Sequence, residues 1–61
     1  MTKFEMVMEM VTVAQIPYSE NDIRQYVQHL TKKRIECAYE WFKEEGKNLH
    51  SAGVALGAIG I

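Results

Sequence analysis

The sequence predicts an all-α fold, a small three-helix arrangement around one long central helix. Three observations carry this. Residues 19–46 combine a capped start, a glycine stop and an apolar stripe, with no Gly or Pro between the ends. Residues 1–16 place Glu5, Glu9 and Thr12 on one helical face and apolar side chains on the opposite one. Pro17 and Gly46 then punctuate the chain into three segments. The expected bounds are about residues 3–15, 20–45 and 49–59 of one small domain.

The central segment opens at Ser19, an N-cap residue, with Asp22 three positions on as an approximate capping box. Tyr18 and Ile23 stand at the spacing of a hydrophobic staple. Pro17 blocks any continuous helix from upstream. Glu20 and Asp22 put negative charge at the positive end of the helix dipole. At the other end, Gly46 suits the left-handed residue that closes many helices. The roughly 26 residues between would make a rod about 39 Å long.

Phase argues for one helix here. At about 100° per residue, Ile23, Leu30, Cys37 and Trp41 fall in a narrow stripe that passes unshifted through Thr31-Lys32-Lys33-Arg34. Ile35, Tyr39 and Phe42 lie off that stripe. The second half is therefore apolar over more than half its circumference and is expected to be covered on two sides.

The first segment carries Thr2 and Glu5 as a capping box. Its apolar face holds Phe4, Met6, Val7, Met8, Met10, Val11 and Ala14. A strand is the alternative, because Phe4, Met6, Met8 and Met10 also alternate and Val11-Thr12-Val13 is β-branched. A lone strand would need a partner from another molecule. A ribbon-helix-helix arrangement would further need a turn near residues 31–34. It would also need basic residues on the strand, where Glu5 and Glu9 stand.

In the last segment Asn48 caps a short helix in which Leu49, Ala52, Leu56 and Ile59 recur at helical spacing. Gly53 and Gly57 form a GxxxG, expected to lie close on the long helix. Gly53, Gly57 and Gly60 weaken the helix by about 1 kcal/mol each relative to Ala in an interior position. Tertiary contact must hold it together.

Composition narrows the function. A chain of 61 residues is one domain at most and buries a small share of its surface. Cys37 is the sole cysteine, so no internal disulfide forms, and a single thiol fits a reducing compartment, most simply the cytoplasm. A net charge of −1 and a pI near 6.1 give no general pull towards nucleic acid or anionic lipid. The N-terminus lacks the pattern of a secretory signal, and no apolar run approaches the ~20 residues of a membrane span.

No catalytic, cofactor or metal site is expected. His29, Cys37 and His50 lack the spacings of metal ligands, and phosphate-binding and dinucleotide-binding motifs are absent. The first expectation is a small helical protein that binds another protein, or itself as a homodimer, and regulates or inhibits its target. Its contacts would be Phe4, Met8, Val11, Tyr26, Leu30, Trp41 and Phe42. The reason is that the apolar faces exceed what so short a chain can bury. The second expectation is a dimeric DNA-binding regulator using Arg24, His29, Lys32, Lys33 and Arg34. Membrane contact through the glycine-containing tail ranks third.

Overall fold

In the computed structural model, which describes all 61 residues, four helices follow one another. They are α1 (Lys3–Ala14), α2 (Glu20–Gln28), α3 (Lys32–Glu44) and α4 (Leu49–Ala58), and there is no strand. Each opens on a side chain that satisfies a backbone N–H left without an intrahelical partner. Thr2, Ser19, Thr31 and Asn48 accept from the N–H groups of Glu5, Asp22, Arg34 and Ser51. Around Thr2, Ser19 and Asn48 the return bond completes a capping box.

The long central helix is thus two helices. His29 leaves helical geometry, and Thr31 is extended at φ −76°, ψ 150°. The Thr31 hydroxyl accepts from the Arg34 N–H at 3.2 Å and starts a new helix without help from Gly or Pro. The carbonyls freed at the end of α2 find a partner from elsewhere. Lys3 Nζ donates to Val27 O at 3.0 Å and to Leu30 O at 2.9 Å, the cation a helix C-terminus favours. Overall extents of 26 × 24 × 19 Å leave no room for a 39 Å rod.

The break also changes which face of the second half is inside. Ile35, Ala38, Tyr39 and Phe42 are buried, a clean i, i+3, i+4, i+7 set. Cys37 and Trp41, assigned by phase to the buried stripe, are exposed. The apparent stripe through residues 23, 30, 37 and 41 was a coincidence of spacing across a turn.

The first segment is a helix, which removes the strand alternative and with it the ribbon-helix-helix arrangement, although a turn does fall close to residues 31–34. The apparent alternation resolves into a helical band of buried Met6, Val7, Met10 and Val11, flanked by half-buried Phe4 and Met8. This band is the centre of the fold. α1 packs on α2, α3 and α4, α3 packs on α4, and α2 packs on α1 alone. One core of fourteen buried apolar residues results.

α4 turns its larger and more regular side inward. Ser51, Ala52, Ala55, Leu56 and Ile59 are buried, and the Ser51 hydroxyl donates to Asn48 O. Gly53 and Gly57 do not lie against another helix. Both are exposed, and a methyl group built on either meets nothing within 4 Å. Close helix approach is supplied instead by Ala52 and Ala55 on the inner side.

The helix ends are tied by backbone. Gly46, at φ +93°, closes α3 with Gly46 N–H to Lys43 O and Lys47 N–H to Phe42 O, the bonding of a Schellman motif. Gln15 serves the same purpose for α1 at φ +59°, with Ile16 N–H reaching Val11 O.

Two stability measurements check this account. Thr31→Ala should cost about 1 kcal/mol in chemical denaturation, the usual loss of an N-cap, whereas a residue inside a continuous exposed helix would gain slightly from the change. Gly53→Ala should stabilise the monomer by about 0.5–1 kcal/mol, because the added methyl relieves backbone freedom without meeting a neighbour. A loss of stability in Gly53→Ala would place that glycine in a contact.

Candidate functional site

Where α3 and α4 run side by side, small residues leave a groove. Ala38 and Ala55 form its floor, being buried at the α3–α4 contact. Successive helical residues point about 100° apart, so the side chains next to the buried faces become its walls. On α3 these are Arg34, Cys37 and Trp41, and on α4 Val54 and Ala58, with Ile59 beneath. The groove encloses about 520 Å³. Arg34 is its single charged wall residue, and its Nη2 lies 3.4 Å from Ala58 O at the end of α4. Residues 48–61 contain no Asp, Glu, Lys or Arg, so α4 presents an uncharged outer face.

This groove gathers part of the apolar surface that the fold leaves exposed. The accessible surface of 3869 Å² is close to the roughly 4,000 Å² expected of a packed chain of this mass. The chain thus packs to the degree its size allows. The large apolar side chains left exposed are Met1, Tyr26, Trp41, Leu49 and Val54. Trp41, 37% exposed, and Val54, 46% exposed, both line the groove.

The side chains expected to contact a partner separate into three groups. Val11 and Phe42 lie in the core at 3% and 0% exposure, and in the folded chain they present no surface. Phe4, Met8 and Leu30 are half-buried against the core. Tyr26 and Trp41 are exposed but on different helices, α2 and α3. Tyr26 stacks edge-on with Tyr18 at 5.2 Å. Cys37, Val54 and Ala58 belong to the groove and were not expected there. Their signal was the recurrence of Arg34, Cys37, Ala38 and Trp41 at i, i+3, i+4, i+7, which becomes readable once Thr31 is taken as a cap.

The basic residues are likewise divided. Arg24, on α2, lies over the Phe4 ring at 4.0 Å, a cation–π contact that ties α2 to α1. His29 is the exposed cap residue of α2. Lys32, Lys33 and Arg34 fill the first turn of α3, where acidic residues are absent and the helix dipole disfavours cations. His29, Cys37 and His50 belong to no group of three His, Cys, Asp or Glu side chains placed to hold a metal ion.

One polar cluster joins three parts of the chain. Tyr39 Oη donates to Glu9 Oε1 at 2.7 Å, and Lys47 Nζ pairs with Glu9 Oε2 at 2.9 Å. Lys47 therefore serves α1, while Glu40 pairs with Lys43 within α3 at 3.1 Å. The hydrogen bond from Lys47, and then that from Tyr39, holds the Glu9 carboxyl below its ordinary value of 4.5. The bond to Glu9 pushes the Tyr39 phenol up, helped by burial. The same bond to Glu9 raises Lys47.

No family model, curated protein or solved structure matches the chain.

The cluster predicts a pH profile of stability. A depressed Glu9 stabilises the folded state above its ordinary value of 4.5 and ceases to do so as pH falls through its lower folded value. Raised Tyr39 and Lys47 stabilise at neutral pH and lose that contribution as pH climbs past their ordinary values of 10.0 and 10.5. Denaturation midpoints measured against pH should therefore fall at both extremes. Glu9→Gln should flatten the acid limb. An acid limb of unchanged depth in that variant would assign acid sensitivity to other carboxylates.

Proposed function

We propose that this chain is a non-enzymatic binding protein that docks on a partner protein through the α3–α4 groove and regulates or inhibits it by covering its surface. The observation that carries this reading is that two of the five exposed large apolar side chains, Trp41 and Val54, meet at one groove with one charged wall residue. Tryptophan is enriched among the side chains that dominate binding energy. A half-exposed tryptophan over a floor of alanines has room for an incoming apolar side chain. A trough between two adjoining helices is the kind of surface on which a helical face of a partner docks.

The basic first turn of α3 favours a second reading, contact with nucleic acid. The side chains of Lys32 and Lys33 have no hydrogen-bond or ion-pair partner within the chain, and they stand where they oppose the helix dipole. Two features weigh against it: the net charge is −1, and α2 does not pack on α3 as paired helices of a DNA-reading unit do. Binding to DNA that falls steeply with rising salt would establish it, and no binding at low salt would remove it.

The groove is tested by comparing proteins retained from the native source by wild type, Val54→Glu and Tyr26→Glu. A charge placed at Val54 should abolish retention of the specific partner, and one placed at Tyr26, on α2, should not. Equal retention by wild type and Val54→Glu would move the binding surface elsewhere.

A further inference from the structure

The charges along the outer side of α3, of which Arg34 alone lines the groove, run with a polarity that bears on the occupant. Reading up the helix, the wall residues are Arg34, Cys37, Ala38 and Trp41, and the same row continues to exposed Glu44 and Glu45. One end is thus basic, the middle apolar, and the far end acidic. Lys33 adds to the basic end, and no acidic residue occurs in the first turn.

Such a row is complementary to itself when reversed. Set against a second α3 running in the opposite direction, Arg34 meets Glu44 or Glu45 of the other copy, and Cys37 meets Trp41. The two pairings share one centre, since positions 34 and 44 and positions 37 and 41 are both symmetric about residue 39. A two-fold axis through that centre satisfies both pairings twice. A parallel pairing would instead oppose Arg34 to Arg34 and Glu44 to Glu44, like charges that disfavour it.

We infer that the groove is occupied by a second copy of the chain, with the two α3 helices antiparallel and each Trp41 seated between α3 and α4 of its neighbour. This rests on the groove being the binding surface, and it names the partner. The contact is isologous, so it closes at two copies and does not propagate into filaments. The uncharged outer residues Val54 and Ala58 flank the entering tryptophan, and no charge is buried without a counterpart on the α3 row.

The experiment is molar mass by light scattering over a hundredfold concentration range for wild type, Val54→Glu, Arg34→Glu, Glu44→Arg/Glu45→Arg and the triple reversal combining the last two. Circular dichroism accompanies each. Arg34→Glu should remain folded, because an acidic residue in the first turn of α3 agrees with the helix dipole. Wild type should dimerise, and Val54→Glu should be monomeric. Each charge-reversed variant should dissociate at roughly tenfold higher concentration, since every change acts twice in a symmetric pair. The triple reversal should recover the dimer. As an independent readout, alkylation of the exposed Cys37 thiol should slow as wild type is concentrated, because Trp41 of the second copy covers it.

The outcomes separate the inference from the reading beneath it. A wild type monomeric at every concentration overturns the second copy as occupant and leaves the groove to a different protein. A dimer indifferent to Val54→Glu forms through another face and overturns the second copy as occupant, and only equal retention of a partner by wild type and Val54→Glu overturns the groove itself. A dimer sensitive to Val54→Glu but indifferent to the charge reversals overturns the antiparallel register.

Discussion

Burial of the α1 band is the contact on which the rest depends. Met6, Val7, Met10 and Val11 are at most 3% exposed, and the other three helices all pack on α1. α2 has no other neighbour, so its place is set by this contact alone. Methionine suits the task. Its unbranched side chain adapts to neighbours arriving from several directions, and Met10 is fully buried among them. Met6 and Met10 thus act as adaptable core.

Around that band, directional polar contacts fix what apolar packing leaves free. Lys3 reaches from the start of α1 to the last carbonyls of α2 and so sets where α2 ends relative to α1. Glu9, one turn and a half further along, takes Tyr39 from α3 and Lys47 from the loop before α4. The same helix thus supplies the apolar band and both long-range polar anchors. No buried polar side-chain atom lacks a hydrogen-bond partner, which a core of this size needs, because one unpaired group costs about as much as several good contacts yield.

The sequence was most informative where short-range chemistry decides the outcome. Thr2 with Glu5, Ser19 with Asp22, Asn48 and Gly46 all act as their spacing implies. It was least informative where two arrangements share a pattern. Ile23, Leu30, Cys37 and Trp41 recur with helical phase, yet the helix stops at Gln28, between Ile23 and Leu30. The deciding signal was Thr31, a cap residue whose hydroxyl outweighs the neutral propensity of its neighbours. The groove was hidden for the same reason. With α3 rotated to bury Phe42 rather than Trp41, residues assigned to the core become the wall of a surface site. Only the tertiary pairing of α3 with α4 shows that Val54 and Trp41 are neighbours. Likewise, nothing local distinguishes Lys47 as a partner of Glu9 from Lys47 as a partner of Glu44.

The pairing of α1 with α4 carries a consequence for synthesis. α1 is complete at Ala14, but α4 begins only at Leu49. At roughly 5–20 residues per second, α4 is completed several seconds after α1, and α1 cannot be fully covered before then. Until α4 docks, the methionine-rich band of α1 lacks one of the three helices that cover it. Full burial of the α1 band is therefore a late event in the life of the chain, set by the arrival of α4.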